Sequence, residues 1–496
     1  MKSSSFSFGP PPAQLAQAKF NQALTFHQAG QLAEALAAYL QVIQVQPKHF
    51  DALNLAGAIS LQLGQAQQAV DLLTKALKID RQHAGAHNNR GAAYQQLGEW
   101  DLAMLNFNKA LALDPESEKA YNNRGNLWLR LKQPEQALHD FDRALAVKPD
   151  YFSPYNNRGT ALGDLQRYAE SRASFDRAIQ LAPGSVEAHW NLGMSCLRQG
   201  EFETGWREAE WRLQRPALVG LQESYPAPMW TGVEPLAGKT ILLCHEQGLG
   251  DTIQFCRYAG LVRELAARVV LLVQPALAAL LKDLPGIDVL VQGDDLPEYD
   301  FYCPLLSLPM LFKTDLSNIP RPPDVIHPSP ERVAQWRARL GESGKPRVGL
   351  AWSGNPSHVD DFKRSIPLQE FVACLSDDIQ WVSLHKEVRD ADMVTLKAHP
   401  QILHFGDELH DFSDTAALCE LMDAVVSVDT SMAHLAATMG RPTSVLVAGN
   451  PDWRWLLARS DSPWYPSVTL YRQTESGDWA GVLQTVRSDL RRLVTH

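Results

Sequence analysis

Residues 89–115 read NRGAAYQQLGEWDLAMLNFNKALALDP, and the pattern inside this stretch recurs along the first half of the chain. Gly91 is one of five glycines set 34 residues apart, with Gly57, Gly125, Gly159 and Gly193. Ala103 returns as Ala35, Ala69 and Ala137, with Ser171 in register, and Phe107 returns as Tyr39, Phe141 and Phe175. Pro115 has counterparts in Pro47, Pro149 and Pro183, and Arg81 takes the proline's place once. A fixed period of that length marks an array of helix–turn–helix units. Small residues sit where the two helices cross closely, the aromatic fills the gap beside them, and proline stops the second helix.

The pattern resembles the tetratricopeptide (TPR) family over residues 16–219, about six units, which implies an α superhelix with a concave face. Asn89, Asn123, Asn157 and Asn191 stand two residues before successive anchor glycines, and Leu55 breaks the series. An amide both donates and accepts, so a row of them can hold an extended peptide whatever its side chains. The other reading is recurrence by duplication, with each amide bonded inside its own repeat. The row resembles the asparagine ladder of O-GlcNAc transferase superhelices, which implies a polypeptide acceptor or partner protein in the groove. The last unit changes character, with Gly200, Phe202, Gly205, Trp206 and Trp211, and Arg212 where alanine is expected. A terminal repeat must cap the array or dock on the next domain, and its tryptophans favour docking.

Composition narrows the function classes. Of the 496 residues, 45% are apolar and 21% charged, as in soluble globular chains. A net charge of −10 disfavours a nucleic-acid binder, which draws affinity from neutralising phosphates. The longest apolar run, 269–281, is broken at Gln274 and Pro275 and is short of the ~20 residues of a membrane span. Residues 1–15 read as a Ser/Pro-rich tail and not as a signal peptide. Six cysteines without a C-x-x-C pair argue against a structural metal site and fit a reducing cytoplasm.

Beyond a Pro/Gly-rich linker at 220–238, the 34-residue period gives way to strand–helix alternation. Apolar runs at 240–244, 269–273 and 287–291 predict buried parallel strands of a small first lobe of about four strands, 239–325. A Pro-rich break leads through a linker at 326–345 to a second lobe, 346–496, with strands at 347–352, 380–384, 401–405, 424–428 and 443–447. Two such Rossmann-type lobes facing each other make a cleft, and ligands bind beyond the carboxyl ends of the strands.

Three segments carry the chemistry, each directly after a strand. In the first, Gly248 and Gly250 permit a tight turn and Asp251 opens a helix, either as its cap or as a general base. In the second, Ser353-Gly354-Asn355 offers a hydroxyl and backbone N–H groups, and Lys363 and Arg364 offer charge for a diphosphate. A solvated Lys-Arg surface pair is the bland alternative. In the third, a strand ends at Asp429, and Thr430, Ser431 and His434 lie in the first turns of a helix, an anion site by its free amides. Plain N-capping by Asp429 or Thr430, and a buried imidazole at His434, are compatible with it. Trp453, Arg454, Trp455, Trp464 and Tyr465 either stack a ligand or lock the C-terminal helix against the fold.

These segments, above all Asp429-Thr430-Ser431-Met432-Ala433-His434 through Gly440-Arg441-Pro442, resemble glycosyltransferase family 9, heptosyltransferases of the GT-B fold. With the array in front, the chain is similar to TPR-coupled bacterial glycosyltransferases. The resemblance implies a metal-independent, inverting transfer with no cofactor and a nucleotide-sugar as co-substrate. It makes Asp251 the base, and Ser353, Gly354, Asn355, Lys363, Arg364, Asp429, Thr430, Ser431 and His434 the donor site. Glu387 falls where a ribose-binding carboxylate is expected and Phe412 near the base-contacting loop. The family usually has glycine where Ser431 stands. The competing expectation is a TPR scaffold carrying a degenerate GT-B domain.

Overall fold

The computed structural model describes residues 12–216, 218–323, 326–358, 361–474 and 477–493. The chain divides into two compact units, Met1–Ser185 and Val186–His496. Among the described residues, the first unit holds five helix pairs: α1 (Pro12–Gln28) and α2 (Leu32–Val45), α3 (Phe50–Gln62) and α4 (Ala66–Ile79), α5 (Ala84–Gln96) and α6 (Trp100–Leu113), α7 (Glu118–Arg130) and α8 (Pro134–Val147), α9 (Phe152–Asp164) and α10 (Tyr168–Leu181). Helix α1 opens inside the expected tail, with Pro12 at a position where its missing N–H costs nothing. The tail's first eleven residues lie outside the described residues.

The 34-residue period has a steric cause. A Cβ on Gly91, Gly125 or Gly159 would stand 2.7, 2.5 or 2.5 Å from the ring of Phe107, Phe141 or Phe175. Each aromatic is buried against the bare backbone of the facing helix. A second periodic feature, not anticipated, follows three of the four ladder asparagines, Asn89, Asn123 and Asn157. Arg124 clasps Asp140 with two bonds of 2.7 Å and donates to Asn108, also at 2.7 Å. Arg90 likewise reaches Asn106 and Thr74, and Arg158 reaches Ser174 and Asp142. Each guanidinium therefore ties three helices of consecutive repeats.

The sixth pair, α11 (Val186–Arg198) and α12 (Phe202–Ala209), belongs to the second unit. Helix α13 (Val219–Ser224) lies largely in the stretch expected as a linker. A first sheet comes next, built from β1 (Thr240–Cys244), β2 (Arg268–Val273), β3 (Asp288–Val291) and β4 (Phe301–Pro304). Its helices are α14 (Leu249–Phe255), α15 (Ala259–Leu265), α16 (Ala278–Leu281) and α17 (Leu308–Leu311). Helix α18 (Pro330–Leu340) occupies the second expected linker. Its signals are local: Ser329 accepts from the Arg332 N–H, Pro330 opens the helix, and Gly341 ends it at φ +71°.

The second sheet comprises β5 (Arg347–Ala351), β6 (Gln380–Ser383), β7 (Ile402–Leu403), β8 (Ala424–Val428), β9 (Thr443–Val447) and β10 (Val468–Arg472). Helices α19 (Asp361–Arg364), α20 (Leu368–Phe371), α21 (Asp390–Ala398), α22 (Phe412–Glu420), α23 (Ser431–Thr438) and α24 (Ala480–Leu493) complete it. Every named strand pairs in parallel. The sheet orders are β3-β2-β1-β4 and β7-β6-β5-β8-β9-β10. The second is the 3-2-1-4-5-6 order of dinucleotide-binding sheets, and the first is its 3-2-1-4 portion. Alternate residues of the second sheet enter two separate cores: Val425 and Val445 on one face, Val426 and Leu446 on the other. Burial on both faces explains the unbroken apolar runs.

Candidate functional site

In a sheet of this order, strand connections diverge between the first and fourth strands, and the carboxyl ends there leave a crevice. The three segments singled out in the sequence follow β1, β5 and β8, so all three stand at these switch points. Moreover, the two switch points meet: a Cβ on Gly250 of α14 would stand 3.4 Å from the Cα of Ser431, the first residue of α23.

Asp251 serves as a cap and more. Its Oδ2 accepts from the Gly248 N–H at 2.8 Å, which satisfies an orphan donor at the start of α14. Its Oδ1 accepts from the Arg454 guanidinium of the second lobe. Burial pushes the Asp251 carboxyl above its ordinary pKa, against the pull of Arg454. Arg454 also donates to Asp452 at 2.9 Å and to Gln254, and lies 4.4 Å from the Trp453 ring centroid.

Across the contact, Thr430 caps α23 by accepting from the Met432 N–H at 3.3 Å. Asp429 stands just before it, and its backbone carbonyl accepts from Arg364 at 2.8 Å. Burial raises the Asp429 carboxyl to about 6, with Asp452 acting in the same direction. His434 is a packed, neutral imidazole: Nδ1 pairs with the Tyr465 hydroxyl at 2.9 Å, the ring stacks on Trp455, and burial lowers it to about 3. It adds no positive charge at neutral pH.

The Ser353-Gly354 turn is held from behind. The Gly354 N–H donates to Ser365 at 3.0 Å, and its carbonyl accepts from Arg389 at 2.8 Å. A Cβ on Gly354 would meet the Asp361 carboxylate at 2.7 Å and the Arg364 guanidinium at 2.8 Å, so the bare backbone of the turn lies directly against that pair. Ser353 is buried; Asn355 is exposed and accepts from the Ser357 N–H. Lys363 is half-buried with its amine 5.9 Å from the Phe362 centroid. Glu387 is exposed in the loop after β6, and Phe412 packs on the core at the start of α22. The hydrogen bonds described above for the cluster pass through neither.

Residues 453–465 lock different parts than expected. Trp453 and Trp464 pack on Phe255 of α14, and Arg257 donates to the Trp464 carbonyl at 3.0 Å, so the segment joins the two lobes. The C-terminal helix α24 packs in the separate core on the other face of the second sheet. Arg454 pairs with Asp251 rather than stacking freely. The asparagine row is partly engaged as well: Asn123 donates to Asn88, and Asn157 to Asn122, each at 3.0 Å. These two bonds run between repeats, while Asn89 and Asn157 also accept from Asn88 and Asn156 of their own helices at 3.5 and 3.4 Å.

Tetratricopeptide-repeat models match residues 16–49, 57–98, 84–117, 118–151 and 156–204. TPR repeats therefore fill the N-terminal ~200 residues. The chain is 25% identical over 321 residues to protein FlbA of Caulobacter vibrioides, covering 60% of this chain, more than the array occupies. It spans about half, 53%, of that relative's length. Solved structures similar to the chain include pilF of Pseudomonas aeruginosa, at 18% identity, TM-score 0.36, over 43% of this chain and 99% of the other. A thermophilic TPR protein of Thermus thermophilus matches at 18% identity, TM-score 0.33, over 37% and 99%. No described helix is long and apolar enough to cross a membrane.

Proposed function

We propose that the second unit is a glycosyltransferase of the GT-B kind, moving a sugar from a nucleotide-diphosphate sugar to an acceptor recruited by the TPR array. The observation that carries this reading is the meeting of two helix N-termini at opposed switch points, with a buried carboxylate on one side. The positive end of the α23 dipole and the guanidinium of Arg364 favour a diphosphate there, although Thr430 already accepts from the Met432, Ala433 and His434 N–H groups. Asp251 is the proton acceptor. As it takes the proton of an acceptor hydroxyl, that oxygen bonds the anomeric carbon, the sugar–phosphate bond breaks, and the electron pair leaves on the nucleoside diphosphate. A single displacement inverts the anomeric configuration. Burial makes Asp251 a stronger base than an exposed aspartate, against the opposing pull of Arg454.

The acceptor is a polypeptide or glycan. Asn123 and Asn157 use their NH2 groups between repeats, and the Asn157 carbonyl also accepts from Asn156 at 3.4 Å, so a bound main chain would exchange for part of this row. The six cysteines are buried free thiols, in keeping with work in the cytoplasm.

One observation favours a second reading, a TPR scaffold with an inactive domain: Asp251 already accepts from both Gly248 and Arg454. Asp251→Asn separates the two. As base, its loss abolishes transfer and leaves donor affinity within about threefold; turnover equal to wild type removes the assignment.

A further inference from the structure

We propose that the α11–α12 pair is a brace for this site, in which Arg212 and Arg198 are positioning residues that fix the two turns carrying Asp251 and Arg454. Arg212 follows α12 and is 1% exposed. Its Nε and Nη2 donate to the two oxygens of Glu246 at 3.0 and 2.8 Å, and the Glu246 side chain is fully buried. Nη2 also donates to Ser307 at 2.9 Å, and Nη1 to Glu210. Glu246 in turn accepts from the Leu306 N–H at 3.1 Å. The fork geometry fixes the guanidinium against one orientation of the carboxylate. Glu246 is the second residue after β1, so the bond sets the root of the turn that ends in Asp251.

The same helix pair grips the second lobe. Arg198 of α11 donates from Nε to the Pro451 carbonyl at 2.6 Å, three residues before Arg454. Trp206 of α12 donates to the Thr314 carbonyl at 2.9 Å and sets its ring edge-on to Trp453, centroids 5.1 Å apart. Two helices thus hold both turns, while the Asp251–Arg454 bond crosses between the lobes. Sequence shows why this repeat departs from the others: the array's small residue at position 212 is replaced by the arginine that makes the connection. What the fixed spacing serves rests on the transferase reading; the brace itself is a property of the fold.

The test is the Arg212→Met/Glu246→Leu double variant of the full chain, which removes both charges together and leaves neither of that pair orphaned. Hydrogen exchange of residues 245–255 should quicken at least tenfold, with α24 and the first unit exchanging as in wild type. The carboxyl carbon of Asp251, followed by 13C NMR, faces Arg454, Asp452 and His358; its titration midpoint should fall towards the ordinary carboxylate range as the turn takes up water. Exchange within twofold of wild type and an unmoved midpoint would overturn the brace. Should the double variant not fold, Arg198→Met and Trp206→Phe read the same effect at 450–456, where exchange unchanged in both overturns it. A wild-type chain that binds no nucleotide-diphosphate sugar would remove the transferase reading and leave these readouts as they stand.

Discussion

Gly250 of α14 lies against His434 of α23: a Cβ at that glycine would stand 2.8 Å from the imidazole Cδ2. The ring cannot easily yield, because Tyr465 holds Nδ1 and Trp455 covers its face. Gly250→Ala should therefore push the two helix tips apart. Overpacking of this kind costs about 1–3 kcal/mol, measurable by urea denaturation. Calorimetric affinity for a nucleotide-diphosphate sugar should fall at least tenfold.

Arg454 is the common partner of Asp251 and Asp452. Arg454→Met leaves Asp251, 18% exposed, and Asp452, 33% exposed, without their cation, a loss below the about 3–5 kcal/mol of a fully buried pair because solvent screens part of each charge. Asp251, already raised by burial, then goes higher, and Asp452 loses the cation that holds it down. Stability from a raised carboxyl is full below the unfolded pKa and is lost as pH climbs through the folded value. The variant should consequently be less destabilised at pH 5 than at pH 8 in matched denaturation curves.

The buried histidines set an opposite slope in the wild type. His385 and His434 are each lowered to about 3 by burial. Each must take up a proton on unfolding below about pH 6.5, so their contribution is full above that pH and is lost on the way down to 3. Below about pH 6.5 the two histidines therefore tilt stability upward with pH. Asp429, Asp251 and Glu246, all raised by burial, act in the opposite direction. His385→Gln should flatten the slope.

In the array, Arg124→Met strands Asp140, whose side chain is 1% exposed. We expect a loss of about 3 kcal/mol, largely recovered in Arg124→Met/Asp140→Leu. Hydrogen exchange across α7 and α8 measures both.

The array was legible in the sequence because one steric demand, an aromatic ring on bare backbone, recurs every 34 residues. Strands buried on both faces were legible as apolar runs, and β1, β8 and β9 begin and end where those runs do. Strand β4 escaped, since Phe301–Pro304 is short and ends in proline; β10 escaped because Thr469 is exposed and Arg472 interrupts the run. Helix α18 lies among prolines that read as a break, which masks the cap at Ser329. The three strand-end segments of the site could be read, because each follows an apolar run directly. Its electrostatics could not: Arg454 is 203 residues from Asp251, and Arg212 is 34 from Glu246. Nothing local in a sequence announces a pairing that only the fold creates.

The most direct measurement of the central claim is the melting temperature of the full chain against ADP-, UDP-, GDP- and dTDP-sugars. A ligand at about 100 times its dissociation constant adds about 2.7 kcal/mol to the folded state. The account predicts that one of the four raises the wild-type midpoint, that Asp251→Asn keeps this shift, and that Arg364→Met loses it. No shift with any of the four would contradict it.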